Sequence, residues 1–465
     1  MKPAAQCSCL TPLSEAQVTR QVAEGLPSGP KGKGVASAVR SNTRYLRYIA
    51  MFLLALCIAG SSFAQAPKLL YHGVEAPALG PVVGTAVATT GSTGTCCRSP
   101  YIVVATNNAT AIGEPLQLQF WNDTGSKLVY VTSATWNPAP GGCTSYALAT
   151  LDSSKIVAAC IDTAYYLHLS VWRVAAASAS SFYEMGEQSV SSSGLGSFGN
   201  LGVSVTALSP TEVVTAATDP SHDLRVQTWN IATYGSPTEP FATVTQQHTA
   251  VAGEIWFPFV VALNGTQVVT ASDSYTSSTR EVIAWSVDSS GDITRQSDLK
   301  VGSRGTSTMS GIALAPLGGF LGGGYEVMTI AQNNPDATDN FSTHVTSWVI
   351  SSAGVVSGGN SGSGTEQNVY SSSVGIAWTP SLYPFTVSLT TSDSLVTGGR
   401  VEQWQYSSGK WSVVHGTNEG GNHPNPPYGV SVAGAGSDST LTYYVVTYTG
   451  AGGAVNIQVW SAPFA

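Results

Sequence analysis

A short run of residues that ends in tryptophan decides the fold of this chain. Its clearest copy is Leu167-His-Leu-Ser-Val-Trp172, in which apolar and polar residues alternate up to the ring. The chain holds seven such runs: Leu116-Gln-Leu-Gln-Phe-Trp121, Leu167-His-Leu-Ser-Val-Trp172, Leu224-Arg-Val-Gln-Thr-Trp229, Arg280-Glu-Val-Ile-Ala-Trp285, His344-Val-Thr-Ser-Trp348, Arg400-Val-Glu-Gln-Trp404 and Val455-Asn-Ile-Gln-Val-Trp460. Successive tryptophans lie 51, 57, 56, 63, 56 and 56 residues apart. An interval this regular indicates a repeated structural unit.

Three further runs accompany each tryptophan run. A β-branched run precedes it, as in Val213-Val-Thr-Ala-Ala-Thr-Asp219, and a run of small residues stands before that, as in Gly202-Val-Ser-Val-Thr-Ala-Leu208. A fourth run follows the tryptophan, as in Phe241-Ala-Thr-Val-Thr245. Alternation with a period of two predicts strands. Four strands in each of seven repeats predict an all-β, seven-bladed β-propeller with four antiparallel strands in each blade.

Residues 67–465 resemble seven-bladed propellers in their architecture. In such a fold the strand of small residues lies innermost, and the tryptophan strand lies third, where its ring packs between blades. The sequence has neither the Gly-His and Trp-Asp pairing of WD40 repeats nor the glycine doublets of kelch repeats. A stretch similar to a sialidase Asp-box, Ser286-Val-Asp-Ser-Ser-Gly291, occurs only once. The resemblance therefore implies a fold and assigns no functional residue.

The two ends of the repeat region predict how the last blade is completed. The chain stops five residues after Trp460, so the last repeat lacks its own fourth strand. An extra strand, Lys68-Leu-Leu-Tyr-His72, precedes the first repeat. Pairing this N-terminal strand with the last blade would remove two exposed sheet edges. We therefore expect the N-terminal strand to close the last blade.

The residues before the repeats predict export. Residues 49–59 form an uninterrupted apolar run of eleven, preceded by Arg44 and Arg47 and followed by small residues. This order is typical of a secretory signal, and the run is too short to span a bilayer as a helix. We expect cleavage after Ala64, so that 1–64 is an N-terminal extension with a signal peptide and 65–465 is a single propeller domain. The mature protein is expected to be secreted or periplasmic.

Charge restricts the partners of the exported part. Residues 65–465 hold 12 of the 19 Lys and Arg and 25 of the 27 Asp and Glu, which gives them a net charge of −13. Phosphate backbones and anionic lipid surfaces attract basic proteins. The sequence therefore argues against nucleic acid and membrane partners. Carbohydrate or an extracellular protein is the expected partner.

Four cysteines follow the cleavage site: Cys96, Cys97, Cys143 and Cys160. An even number in an oxidising compartment indicates disulfides. Cys143 begins the first strand of the second repeat and Cys160 lies near the end of its second strand, so antiparallel pairing predicts a Cys143–Cys160 disulfide. Cys96 and Cys97 fall in a loop on the opposite face and form either a vicinal disulfide or free thiols.

An Asp or Asn follows the second strand in six of the repeats. These residues are Asn107, Asp162, Asp219, Asp273, Asn333 and Asp393. They either cap tight hairpins by accepting backbone N–H bonds or form a ring of ligand contacts. The oxygen-rich segment 333–340 suggests calcium as an alternative, but it lacks the spacing of an EF-hand loop. Otherwise we expect no metal and no cofactor.

Loops between blades on the same face carry further candidate ligand-binding residues. They are Trp136, Glu254, Trp256, Arg304, Glu366, Tyr370 and His423. Aromatic rings flanked by carboxylates and a guanidinium suit a sugar, which offers apolar C–H patches and a rim of hydroxyls. A large loop-rich face would also show such residues without any ligand.

No catalytic motif is present in the sequence. It contains no Gly-x-Ser-x-Gly, His-Glu-x-x-His, Cys-x-x-Cys or P-loop pattern, and no catalytic residue is assigned. The leading hypothesis is a secreted, lectin-like carbohydrate-binding module. One alternative is an extracellular polysaccharide hydrolase or lyase in which acids such as Glu254 and Glu366 converge. The other is a protein-interaction scaffold.

Overall fold

The chain divides into two compact units, Met1–Gln65 and Ala66–Ala465. A computed structural model describes residues of the second unit only: 68–73, 82–90, 99–108, 115–138, 141–175, 177–191, 202–219, 221–236, 240–274, 279–301, 307–315, 324–333, 343–358, 361–363, 374–377, 385–392, 395–407, 410–423, 430–437, 441–449 and 455–463. Within these residues the one helical segment is the 3-10 turn Ala179–Ser181, and no helix is long and apolar enough to cross a membrane.

The strands form antiparallel sheets, each named here after its tryptophan. Among the described residues the first strand is β1 (Lys68–Gly73). The Trp121 sheet follows with β2 (Val82–Thr90), β3 (Tyr101–Asn108), β4 (Leu116–Asp123) and β5 (Leu128–Trp136). The Trp172 sheet follows with β6 (Cys143–Asp152), β7 (Lys155–Asp162), β8 (Tyr166–Val174) and β9 (Phe182–Ser191).

The next two sheets share one long strand. The Trp229 sheet consists of β10 (Val203–Ser209), β11 (Glu212–Thr218), β12 (Asp223–Gly235) and the first part of β13 (Pro240–Asn264). The last part of β13 opens the Trp285 sheet, which continues with β14 (Gln267–Ser274), β15 (Arg280–Val287) and β16 (Ile293–Val301).

Three sheets complete the described part of the chain. The Trp348 sheet holds β17 (Ser307–Ala315), β18 (Tyr325–Asn333), β19 (Thr343–Ile350), β20 (Val356–Ser357) and β21 (Ser361–Ser363). The Trp404 sheet holds β22 (Val374–Ala377), β23 (Phe385–Ser392), β24 (Leu395–Ser407) and β25 (Lys410–His423). The Trp460 sheet holds β26 (Ser431–Ser437), β27 (Leu441–Thr449) and β28 (Val455–Pro463).

The sheets adopt a propeller-like arrangement. Within each sheet the first, second and third strands of the repeat pair in chain order, so the small-residue strand is the first strand of this series. These first strands contact one another from sheet to sheet in the order β26, β2, β6, β10, β13, β17, β22 and again β26. The predicted all-β class is confirmed, and the small-residue strands contact one another from sheet to sheet as the prediction requires.

The predicted packing role of the tryptophans is also confirmed. All seven are at most 3% exposed. Each ring belongs to a hydrophobic cluster that its own sheet shares with the preceding sheet; Trp172, for example, packs with Ala86 and Leu118 of the Trp121 sheet. Trp121 itself packs with Ala435 and Val445 of the Trp460 sheet. A sheet face that could not be buried alone is thus covered by its neighbour.

Several of the buried indoles have a matched hydroxyl partner. The Nε1–H groups of Trp229, Trp285 and Trp348 donate to the Oγ1 atoms of Thr215, Thr270 and Thr329 at 2.9, 2.9 and 3.0 Å. In each case the threonine lies on the adjacent second strand, two residues beyond the residue paired with the tryptophan. The β-branched second strand therefore satisfies the one polar atom of the ring.

We expect replacement of Thr215 by Val to lower the free energy of unfolding by about 1–3 kcal/mol, because the buried indole N–H of Trp229 would lose its acceptor while the side-chain shape is kept. Thr243, an exposed residue of β13, provides the matched control, and Thr243→Val should change stability little. Urea denaturation of both variants measures the difference. Equal losses would contradict the role given to the Thr215 hydroxyl.

The predicted pairing of the N-terminal strand is present. Strand β1 runs antiparallel to β28, with Leu69 opposite Trp460 and a register shift between Leu69 and Tyr71. The Trp460 sheet therefore has four strands in the order β1, β28, β27 and β26. Strand β1 thereby adds a fourth strand to this sheet.

The predicted disulfide is confirmed. Cys143 and Cys160 are bonded within the Trp172 sheet, with 5.6 Å between their Cα atoms and a sequence separation of 17. Both cysteines are buried. Cys96 and Cys97 lie outside the described residues.

A variant with Cys143→Ala and Cys160→Ala should lose about 3 kcal/mol of stability, which is the chain-entropy value for a loop of this length. Chemical denaturation with and without reductant checks this. Reductant should destabilise the unmodified protein by a similar amount and leave the double variant unchanged; an effect of reductant on the double variant would show that the stabilisation arises elsewhere.

Candidate functional site

Two equivalent turns join the second strand to the third strand in neighbouring sheets. We call 162–166 the Trp172 tip and 219–223 the Trp229 tip. In the Trp172 tip the Oδ1 atom of Asp162 accepts the backbone N–H groups of Ala164 and Tyr166 at 2.9 and 2.8 Å. In the Trp229 tip Asp219 accepts those of Ser221 and Asp223, both at 2.9 Å. The capping role considered for these two aspartates is therefore present.

Each tip holds a bulky residue in the left-handed region of backbone space. Tyr165 has φ 66° and His222 has φ 64°, and each donates its N–H to the carbonyl of the capping aspartate. The same turn occurs between third and fourth strands, at the opposite end of the sheets, with glycine at this position: Gly291 (φ 85°) and Gly354 (φ 77°). A left-handed non-glycine residue costs about 1–2 kcal/mol. The tips thus carry strain that the opposite turns avoid.

A basic side chain, buried in one tip and partly exposed in the other, anchors the capping aspartate. In the Trp172 tip, His168 Nε2 lies 3.0 Å from Asp162 Oδ2. In the Trp229 tip, Arg225 Nε lies 2.8 Å from Asp219 Oδ2. Each cation stands six residues after its aspartate. Asp273 in the Trp285 sheet also pairs with a cation, Arg280, at 3.2 Å, but there the two residues lie directly opposite each other.

His168 is part of a larger polar cluster. Its Nδ1 lies 2.8 Å from Glu187 Oε1, and Trp136 donates its indole N–H to Glu187 Oε2 at 3.2 Å. Burial by itself would lower the pKa of His168, but the hydrogen bonds and charges of Glu187 and Asp162 raise it above its usual range. Burial would raise the pKa of Glu187, but its hydrogen bonds to His168 and Trp136 hold it below that range. The cluster therefore favours an imidazolium between two carboxylates.

A segment of β13 lies against the Trp229 tip. The N–H of Ile255 donates to the carbonyl of His222 at 2.5 Å, and Glu254 stands opposite Asp223. Glu254 is exposed, and the half-buried Trp256 ring meets Phe257 edge to face at 6.0 Å between centroids. Burial and the neighbouring carboxylates of Asp219 and Glu254 raise the pKa of Asp223. The segment thus carries Glu254 and Trp256 within three residues, with Asp223 opposite Glu254 on the neighbouring strand.

The segment is also strained. Phe257 has φ 50° and is, with Tyr165 and His222, one of three non-glycine residues with positive φ among the described residues. Tyr165 and His222 lie in turns between second and third strands, and Phe257 lies where β13 passes from one sheet to the next. Both kinds of connection stand at the same end of the sheets. We call this end the tip face. Strain confined in this way motivates a functional hypothesis.

The structure places the other predicted site residues as follows. Trp136 is buried and belongs to the cluster between the Trp121 and Trp172 sheets. His423 is the last residue of β25. Arg304, Glu366, Tyr370 and Asp393 lie outside the described residues, as do residues 334–340 of the oxygen-rich segment. Among the residues that the structure describes, no group of three or more His, Cys, Asp and Glu side chains could hold a metal ion.

Sequence reasoning missed His168, Arg225 and the strained tip residues. The spacing of an aspartate and a cation six residues later, repeated one unit apart, is the signal that could have revealed the first two. The signal for Tyr165 and His222 is the absence of glycine three residues after a turn-capping aspartate, since Asp288 is followed at that spacing by Gly291.

We expect Asp219→Ala to cost about 2–3 kcal/mol of stability, because two N–H groups and the partly buried Arg225 guanidinium would lose their acceptor. Asp288 makes the same backbone contacts in an exposed turn, so Asp288→Ala is the matched control and should cost clearly less. Thermal denaturation compares the two. Similar losses would show that the cation contributes nothing to the tip.

Comparison with known proteins leaves the function open. No protein-family model matches the sequence, and the search of curated proteins found no match. A Bacteroides fragilis protein provisionally named a 6-phosphogluconolactonase is similar with TM-score 0.47 and 10% identity over 75% of this chain and 98% of that one.

Two further solved structures are similar at the same level. The WD40 domain of SCAP from fission yeast gives TM-score 0.41 and 11% identity over 86% of this chain and 98% of that one. A variant of Aleuria aurantia lectin in complex with alpha-methyl-L-fucoside gives TM-score 0.40 and 9% identity over 73% of this chain and 96% of that one. These similarities are too distant to assign a ligand.

Proposed function

We propose that this protein is a secreted seven-bladed β-propeller that binds carbohydrate through the tip face. The observation that carries the proposal is the confinement of Tyr165, His222 and Phe257, the described non-glycine residues with positive φ, to this face. Turns of the same kind at the opposite end use glycine. Side chains held in a costly backbone conformation are expected to serve a purpose beyond folding.

The chemistry beside the strained residues suits a neutral sugar. The Trp256 ring offers an apolar surface, on which the C–H face of a pyranose can stack. Glu254 and Asp223 offer carboxylate oxygens that accept hydrogen bonds from hydroxyls. The two carboxylates stand opposite each other across the β12–β13 pair, which is unfavourable for like charges without a donor between them. Sugar hydroxyls would supply such donors.

Two observations support the number of blades. Seven tryptophan runs occur at a nearly constant interval. Seven first strands contact one another in sequence and return to the starting strand, and the Trp121 ring packs on the Trp460 sheet. The pairing of β1 with β28 completes the last blade in this proposal.

Export is supported by the N-terminal signal and by the Cys143–Cys160 disulfide. Disulfides persist in oxidising compartments and are rare in the cytosol. The proposed location is therefore the periplasm or the cell exterior, where polysaccharides and glycoproteins are the accessible ligands. In this proposal the protein needs no metal or cofactor to bind its ligand.

A glycan and polysaccharide binding screen on the purified protein tests the proposal. For the carbohydrate that binds best, Trp256→Ala should weaken affinity by about tenfold or more, which corresponds to about 1.4 kcal/mol. The matched control is Phe241→Ala, because Phe241 is an exposed ring stacked on Tyr234 beside a third-to-fourth strand turn at the opposite end. Affinity should be measured by isothermal titration calorimetry.

The same screen separates the competing functions. Release of reducing sugar in the wells that bind would favour the polysaccharide hydrolase. A folded sample that binds no carbohydrate would contradict the proposal and leave the protein-interaction scaffold. Equal affinity losses in the Trp256 and Phe241 variants would contradict the assignment of the tip face.

A further inference from the structure

The two tips have the same design but are anchored by different cations. In the β7–β8 pair His168 stands opposite Cys160, two residues before Asp162. In the β11–β12 pair Arg225 stands opposite Ala217, two residues before Asp219. Both cations contact the outer carboxylate oxygen, Oδ2, of the aspartate whose Oδ1 holds the turn. Histidine and arginine therefore occupy one structural position in neighbouring sheets.

Both ring nitrogens of His168 face carboxylates. From β7 the fully buried Asp162 faces its Nε2, and from β9 Glu187 faces its Nδ1. Glu184, also on β9, lies beyond Glu187, accepts a hydrogen bond from Ser170 Oγ at 2.6 Å and has its pKa raised by burial. From β5 comes only the uncharged indole of Trp136, on Glu187, and the nearby Cys143 is held in the disulfide with Cys160.

This geometry favours a proton on both ring nitrogens. An imidazolium donates to both carboxylates, whereas a neutral ring has one donor and turns a lone pair toward the other carboxylate. The pKa of His168 is raised above 6.5. The stabilisation that its charged form gives to the folded state is therefore complete below pH 6.5 and is lost as the pH rises through the raised pKa. Arg225 stays charged over the same range.

Loss of the charge on His168 would weaken the turn of the Trp172 tip. The side chain of Asp162 holds the N–H groups of Ala164 and Tyr166 and thereby keeps Tyr165 in its left-handed conformation. When the ring nitrogen facing Oδ2 no longer donates, the buried carboxylate loses a charged partner and the turn loses its anchor. In the Trp229 tip the equivalent position holds Arg225, so the anchor of Asp219 keeps its charge.

We propose that His168 is a positioning residue that makes the Trp172 tip depend on pH: the tip is ordered for ligand contact in acidic to neutral conditions and loosens in alkaline conditions, while the Trp229 tip, anchored by Arg225, does not respond. The ligand contact rests on the proposed function; the pH-dependent order of the tip does not. One binding face thus carries a titrating subsite beside a constant one.

Amide hydrogen exchange of the full chain tests this without any ligand. After correction for intrinsic rates, protection of the Ala164 and Tyr166 amides should fall at least about tenfold as the pH rises from about 6 to about 9, the change expected when the carboxylate of Asp162 loses a charged hydrogen-bond partner. Protection of the Ser221 and Asp223 amides should stay constant. Parallel changes at both tips, or no change at either, would overturn the proposal.

Exchanging the cations sharpens the test. Arg225→His should transfer the pH dependence to the Trp229 tip, and Arg225→Lys, which keeps a charge in this range, is the matched control. His168→Arg should abolish the dependence at the Trp172 tip. The arginine side chain is larger than the buried site of His168, so this variant could fail to fold. In that case the two Arg225 variants, at a partly exposed position, still test the proposal. A pH-independent tip in folded Arg225→His would count against the proposal.

The two proposals fail separately. If the exchange pattern is as expected but no carbohydrate binds in the screen, the pH-dependent tip stands and the binding function falls. If carbohydrate binds but both tips exchange alike at all pH values, the binding function stands and the role of His168 falls.

Discussion

The buried tryptophan of each third strand is the constraint on which the rest of the structure depends. Each ring fills the space between its own sheet and the preceding one, and Trp121 fills the corresponding space against the Trp460 sheet. A sheet of four strands cannot bury both faces by itself, so this repeated contact joins the sheets into one unit. The indole nitrogen adds a second condition, which the threonines of the second strands meet in three of the sheets.

The two ends of the sheets put the same turn to different uses. At the end with third-to-fourth strand turns, Gly291 adopts its positive φ without the strain of a side chain, and its carbonyl accepts a hydrogen bond from Thr228 of the neighbouring sheet at 2.6 Å. At the tip face the equivalent position holds Tyr165 or His222. One end therefore serves cohesion between sheets, while the other presents side chains. At the tip face an aspartate and its basic partner hold the strained turn in place. We interpret the strain as stability that is lost in favour of binding.

Much of the fold could be predicted from residue patterns. The tryptophan interval predicted the sheet repeat, the leftover strand 68–72 predicted the pairing of β1 with β28, and strand positions predicted the Cys143–Cys160 bond. The site was less predictable. Trp136 reads as a loop aromatic in the sequence, yet it is buried because its indole reaches Glu187 on the next sheet, 51 residues away. His168 reads as a polar residue of an alternating strand, and only the fold surrounds it with two carboxylates.

The sequence by itself determined which segments are strands, which strand carries the ring and which residues cap the turns, because alternation and turn chemistry act between neighbours along the chain. The tertiary structure alone decided the position of His168 between two carboxylates, the left-handed conformation of Tyr165 and His222, and the approach of Ile255 to the Trp229 tip. These properties arise from groups that are distant in sequence and close in space. Burial then sets their energies, because charges and hydrogen bonds interact more strongly away from water.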